Sequence, residues 1–214
     1  MEAQKDYWDK KIKLWSQSSY EKKLGRFSLI EWLAGFFRGP ITGRMELALK
    51  FVGPQSAGKI VADFGCGMGD FCFRVLEYQP KKVIGIDISL VAVAEAKKRA
   101  KERRVEGRVD FLQDNLGKLD KLPEFDFAVG LGFIDYLNKE ELTHLFEKLK
   151  GKHFFFSFPE RKLSLINFLQ AIYLRTQGCP GAYKYSREEI KKIIPHDLNF
   201  HFVEKNKMVF VTNL

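Results

Sequence analysis

The sequence predicts an α/β fold: a mostly parallel sheet with helices on both faces, closed by an antiparallel strand pair. Three observations predict it. Between residues 59 and 158, short apolar runs alternate with amphipathic, charge-laced stretches, the pattern of strands joined by helical crossovers. Spaced glycines, Gly65, Gly67 and Gly69, sit where the first apolar run gives way to the first helical stretch. The carboxyl-terminal residues read instead as two strands around Lys205-Asn206-Lys207, a hairpin.

Taken in order, Lys59 to Phe64 is the first strand and a helix runs from about Asp70 to Tyr78. Lys82 to Asp87 is the second strand. The Ala-rich stretch Ser89 to Arg104 is the next helix, with Ser89 placed to cap it. Arg108 to Leu112 gives a third strand, Phe125 to Leu131 a fourth, Lys139 to Lys150 a helix, and His153 to Phe158 a fifth strand whose Phe-Phe-Phe run suits burial on both faces. After Pro159 comes an insertion, about 159 to 185, with an apolar helix near Leu163 to Leu174 and a break at Gly178-Cys179-Pro180-Gly181. A helix opens at Ser186 with Glu189 three residues on, the signature of a capping box, and strands follow at about Asn199 to Glu204 and Met208 to Thr212. The first 50 residues form a helical preface dense in aromatics, among them Tyr7, Trp8, Trp15, Tyr20, Phe27, Trp32, Phe36 and Phe37.

With 214 residues, 45% of them hydrophobic, the chain can bury one sizeable core. No stretch approaches the roughly 20 uncharged apolar residues of a membrane span, and the first residues lack an export signal, so the expected location is cytoplasmic. Three cysteines, Cys66, Cys72 and Cys179, give neither a disulfide framework nor paired zinc spacing, and no structural metal is expected. The formal charge of +9 is compatible with an acidic partner. Much of it, as in Glu95 to Arg104, is interspersed with Glu and reads first as a solvated helix face.

The glycine run narrows the ligand. A dinucleotide fingerprint requires glycine at position 70, where this chain has Asp70, and a carboxylate there would repel a pyrophosphate. Asp63, two residues before the first glycine, is suited to the cationic amino-acid end of a sulfonium cofactor. Asp87 ends the second strand, where a carboxylate can accept both ribose hydroxyl protons. Asp114, in Gln113-Asp114-Asn115-Leu116, comes within reach of an adenine amino group, with Ile88 and Leu116 as apolar cover. Each of these acids could singly be a turn former or helix cap; together with the loop they form a set.

These residues and spacings resemble the class I S-adenosylmethionine-dependent methyltransferase family, over residues 59 to 158 and in the tail. The resemblance implies a Rossmann-like seven-stranded sheet of order 3-2-1-4-5-7-6. It also implies an S-adenosylmethionine-binding domain over 59–214, and a lid or substrate cover formed by 1–58. It implies that S-adenosyl-L-methionine is the cofactor and S-adenosyl-L-homocysteine the product. The cofactor would be held by Asp63, Phe64, Gly65, Cys66, Gly67 and Gly69, by Asp87 and Ile88, by Asp114, Asn115 and Leu116, and by Gly130.

Other patterns are set aside. Gly53 to Lys59 matches the first places of a P-loop, but Ile60 replaces the magnesium-binding hydroxyl and the segment opens a strand rather than a helix. Cys179-Pro180 reverses the order used by cytosine-5 methyltransferases. His144 and His153 read as structural. After the fourth strand, Gly130-Leu131-Gly132-Phe133-Ile134-Asp135-Tyr136 lacks the Asn/Asp-Pro-Pro-aromatic motif of adenine or amide N-methylation, and so resembles the branch acting on small molecules. Methyl transfer from an activated sulfonium relies on positioning. Asp135, Tyr136 and Tyr7 are the groups expected to meet the acceptor, positioning it rather than serving as an obligatory base, with a packed aromatic as the other reading of Tyr136.

The apolar segments Leu24 to Phe37 and Leu163 to Leu174, with Arg26, Arg38 and Arg44, are expected to line a pocket for a hydrophobic or amphipathic acceptor. That acceptor could be drawn from a membrane surface; alternatively the segments pack together or against a second copy, so monomer and homodimer both stay open. The expected function is O- or N-methylation of a small metabolite. Two alternatives stand beside it: a nucleic-acid methyltransferase and a nucleoside-binding relative without turnover.

Overall fold

The computed structural model describes residues 5–10, 43–161, 183–205 and 208–214. The expected helices at Leu24 to Phe37 and Leu163 to Leu174, with Arg26, Arg38 and the break around Cys179, lie outside the described residues. Within them, the strands in chain order are β1 (Ile60–Phe64), β2 (Lys82–Asp87), β3 (Val109–Gln113), β4 (Phe127–Leu131), β5 (His153–Phe158), β6 (His201–Lys205) and β7 (Met208–Thr212). They form one sheet of order β3-β2-β1-β4-β5-β7-β6. Strands β1 to β5 are parallel, and β7 runs antiparallel to both β5 and β6. The expected strand order and closing antiparallel pair are both present.

Burial follows the strand sequences. The apolar runs of β1, β4, β5 and β7 are buried almost end to end, as strands covered on both faces must be. β3 alternates buried and exposed positions and β6 is mostly exposed, which is how edge strands with one open side behave. Alternation along the strands divides the core in two. Ala62, Phe64, Phe154, Phe156 and Phe158 face one layer, with Leu142, Leu145 and Phe146 of α3 (Lys139–Lys148) and Ile190 and Ile193 of α4 (Arg187–Ile193). Val61, Val129, Phe155 and Phe210 face the other, with α1 (Asp70–Val75) and α2 (Leu90–Glu102).

Helix termini follow local chemistry. The Ser89 hydroxyl accepts from Ala92 N at 3.1 Å and caps α2. Ser186 and Glu189 form the expected capping box on α4, and Asn138 with Glu141 forms a second on α3. The first helix stops earlier than its pattern suggests: α1 ends at Val75 and tightens into a 3-10 turn at Leu76–Tyr78, closed by Gln79 in the left-handed region. The fourth strand begins at Phe127 rather than Phe125. There Asp126 accepts the Ile60 N–H through its carboxylate at 2.8 Å, so a side chain replaces the first ladder bond.

Residues 43–52 are helical and fall inside the stretch expected to be a lid, yet they pack on the sheet. Met45, Ala48 and Val52 are fully buried, and the Phe51 ring lies 5.3 Å from Phe155. Their apolar spacing of three and four gives one helix stripe, and the sheet face between β4 and β7 is what it covers. The sheet-packing unit therefore starts well before residue 59. His144 lies exposed in α3, and His153 opens β5 with its ring stacked on Phe127 at 5.1 Å.

Candidate functional site

The strand order reverses between β1 and β4, and in open α/β sheets ligands bind at the carboxyl ends of the strands flanking such a point. The loop after β1 and the turn after β4 meet there. Gly65, Gly67 and Gly69 have φ of +73°, +53° and +82°, a region that costs a side-chain-bearing residue energy. A Cβ on Gly69 would stand 2.6 Å from the Phe111 ring, and one on Gly65 would stand 3.1 Å from Phe133. The loop is pinned from below, Gly65 N and Cys66 N both donating to Ile86 O at 2.8 and 3.1 Å. It is pinned from behind by Arg99, whose guanidinium donates to Met68 O and to the Asp70 carboxylate, each at 2.9 Å. Asp70 thus serves the loop's back rather than its ligand side.

Asp87 ends β2 beside this loop. Its Oδ2 accepts from Gly67 N at 2.8 Å and its Oδ1 from Ser89 N at 2.9 Å. Burial raises its pKa above the ordinary carboxylate range, against the lowering effect of those two N–H groups. Asp63 lies deeper. It is 3% exposed, its Oδ2 accepts from the Cys72 thiol at 3.3 Å, and burial pushes its pKa up to about 7. The repulsion of Asp87 and Asp70 adds to that rise. Phe64 and Cys66 are buried, and burial pushes the Cys66 thiol up to about 11, so it is a packing group rather than a nucleophile.

Asp114 follows β3, exposed, with its backbone N–H on Asp87 O at 3.0 Å and its carboxylate accepting from Asn115 N. Asn115 in turn accepts from Gly117 N, so the pair forms successive side-chain turns at the sheet's carboxyl edge. Ile88 is half-buried beside them, while Leu116 belongs to the hydrophobic core. Gly130 is buried in β4, where a Cβ would come 2.9 Å from the Phe156 ring; close packing across the sheet accounts for glycine there.

The three residues expected to meet an acceptor are distributed unevenly. Tyr136, in the 3-10 turn Ile134–Tyr136, meets the Trp8 ring edge-on at 5.6 Å, and Tyr7 meets the same ring at 5.3 Å. Asp135 points into a drier setting: it is 6% exposed, its Oδ1 makes no hydrogen bond, and burial pushes its pKa up to about 6. The Arg44 charge opposes that rise. Arg44 comes from the sheet-packed segment 43–52, and its guanidinium fills the space a side chain on Gly132 would need.

Two contributors were not foreseen. Gly85 in the middle of β2 leaves room for the Cys66 sulfur and the Phe111 ring, at 2.9 and 2.6 Å from a would-be Cβ. A glycine inside an apolar strand was the available signal. Asp9 reaches Ser89 from the far amino-terminal segment, and nothing local to residues 5–10 announces it.

A family model described as a methyltransferase domain matches residues 61–151. The chain is 40% identical over 58 residues to the ribosomal protein L11 methyltransferase of Alteromonas mediterranea, covering 27% of this chain and 20% of that protein. It is 41% identical over 68 residues to a small RNA 2'-O-methyltransferase of Arabidopsis thaliana, covering 30% and 7%. The matches thus span a fifth or less of those relatives. Among solved structures it is similar to the magnesium protoporphyrin IX methyltransferase of Synechocystis PCC 6803 with bound SAH, at a TM-score of 0.71 and 18% identity, over 97% of this chain and 96% of that one. That likeness is one of fold.

Proposed function

We propose that the chain, whose residues 61–151 match a methyltransferase domain and whose fold is that of a methyltransferase structure, transfers a methyl group from S-adenosylmethionine to an oxygen or nitrogen atom of a small, hydrophobic or amphipathic metabolite. The observation that carries the reading is Asp87 at the carboxyl end of β2, bonded to the glycine loop that follows β1. Its oxygens are oriented by backbone N–H groups, Oδ2 by Gly67 and Oδ1 by Ser89, and retain acceptor capacity for ribose hydroxyls. Asp63 suits the other end of the ligand. It is a buried carboxylate that accepts from a weak thiol donor and feels two like charges more strongly than the Arg44 cation, and a bound ammonium group would satisfy it.

When bound, S-adenosylmethionine supplies a sulfonium methyl group that is already activated. The chain's own residues would then orient and exclude water. The loop Gly65 to Gly69 with Asp63 would hold the amino-acid end, Asp87 the ribose and Asp114 the adenine edge. Trp8 between Tyr7 and Tyr136 would form an apolar wall on the acceptor side. Asp135, with its pKa pushed up to about 6, is matched to take or share an acceptor proton near neutral pH. A small acceptor is favoured because Gly130 to Tyr136 offers no proline-framed slot for a planar base, and the turn is walled by aromatic rings.

Calorimetry with S-adenosylhomocysteine tests the cofactor reading, and no heat at millimolar ligand would overturn it. Incubation with methyl-labelled cofactor and a cell extract split into metabolites, RNA and protein tests the acceptor. Label in the metabolite fraction is expected; label confined to RNA or protein would overturn the small-molecule reading alone.

A further inference from the structure

We propose that Asp9 is a positioning residue for the cofactor, acting as a latch that ties the amino-terminal segment across the cofactor cleft through Ser89 to Asp87. The inference rests on the proposed function above. It starts from an omission in α2: the first turn of this 13-residue helix contains no acidic residue, so its exposed N–H groups and the positive end of its dipole lack the usual local counter-charge. The Ser89 side chain takes one N–H, that of Ala92. The missing acid arrives from some eighty residues away: Asp9 Oδ1 accepts from Val91 N at 3.3 Å and from the Ser89 hydroxyl.

Ser89 is the hinge of a continuous chain of bonds. Its hydroxyl donates to Asp9 while its backbone N–H donates to Asp87 Oδ1, and Asp87 Oδ2 holds Gly67 N of the glycine loop. A segment anchored by Asp9 is therefore bonded, through one serine, to the carboxylate that faces the ribose. The neighbouring residue crosses the cleft. Trp8 packs with Met68 of the glycine loop and with Val91 and Ala92 at the start of α2, and its ring meets Tyr136 after β4. Contacts after β1, after β2 and after β4 surround the crevice at the strands' carboxyl ends, so residues 8 and 9 span it. Asp9 and Asp87 repel one another across Ser89, and ribose hydroxyls donating to Asp87 would draw off part of its charge. Ligand and latch should stabilise each other, and release of the ligand should require the latch to open.

The test measures S-adenosylhomocysteine binding to the full chain by surface plasmon resonance, with thermal melting of the ligand-free protein alongside. Asp9→Ala is expected to raise the dissociation rate about tenfold, in the range of a lost helix cap, with the association rate within about twofold of wild type. Asp9→Asn, which keeps an acceptor oxygen for Ser89 and Val91, is expected to restore slow dissociation. Trp8→Ala tests the same closure from the ring that crosses the cleft and is expected to speed dissociation as Asp9→Ala does; it stands in should Asp9→Ala not fold. A dissociation rate unchanged in Asp9→Ala, with only a lower melting temperature, would make Asp9 a helix cap and overturn the latch. Absence of binding by the wild-type chain would instead remove the cofactor reading on which the latch depends.

Discussion

Lowering the pH from 8 to 6 should weaken binding of S-adenosylhomocysteine by about tenfold, and Asp63→Asn should abolish the dependence. Burial, with the repulsion of Asp87 and Asp70, holds Asp63 at a pKa of about 7 in the ligand-free protein. A bound ammonium group favours the ionised carboxylate, so the ligand-bound pKa is lower and binding releases a proton wherever the free site is protonated. At pH 8 the carboxylate is about nine-tenths ionised, and at pH 6 about one-tenth, which is the tenfold difference in competent sites. The sign for folding is opposite. A carboxyl raised from 3.8 to about 7 binds its proton more tightly when folded, so it contributes up to about 4 kcal/mol to folding below pH 3.8, relative to high pH, and loses that contribution as pH rises through about 7. Asp63→Asn should therefore stabilise the ligand-free protein at pH 8 while weakening its binding. Calorimetry at pH 6, 7 and 8, in two buffers of different ionisation heat, reads both affinity and proton release. Affinity independent of pH with no buffer dependence would refute the reasoning, because a carboxylate already ionised at pH 6 has neither the burial nor the role assigned to it.

Asp87→Ala should weaken S-adenosylhomocysteine binding by about 1–3 kcal/mol, since it removes the ribose acceptors and leaves Gly67 N and Ser89 N without theirs; equilibrium titration reads it. Gly69→Ala places a Cβ 2.6 Å from a buried ring at φ +82°, and should cost about 2–5 kcal/mol of stability from left-handed strain and overpacking together, seen as a shift in the urea midpoint. Phe156→Ala, at a fully buried position between Phe64, Phe146 and Phe154, should cost about 3–5 kcal/mol by the same measurement. Its effect on ligand affinity in the folded fraction should stay small, because the ring lies in the core and not in the loop.

The local devices were legible along the chain because each is set by neighbouring residues. Ser89 before an alanine-rich helix, the Ser186–Glu189 box, the Phe-Phe-Phe strand and the Asp63–Gly69 loop all appear where the sequence predicts them. The strand order came with the family resemblance, and its reversal puts the glycine loop beside the turn of Asp135 and Tyr136. Less legible were features that depend on a second segment. Asp70 reads as a bar to pyrophosphate, but its charge is taken up by Arg99 on α2. Asp135 and Tyr136 are adjacent in sequence, yet the 3-10 turn sends one inward beside Arg44 and leaves the other against Trp8. The segment 43–52 reads as part of a preface because its apolar stripe names no partner, and only the assembled sheet supplies the face it covers.

Composition and pattern alone determined the α/β class, the order of elements and the three acids at the strand ends, since periodicity, caps and glycine spacing are properties of a few consecutive residues. Tertiary structure decided which carboxylates are dry, which are bonded and what spans the cleft. Asp63 near a pKa of 7, Asp87 between two N–H groups, and Asp9 joined to Ser89 all arise from residues far apart in the chain. Desolvation and hydrogen bonding depend on distances in space, and those exist only once the chain has folded.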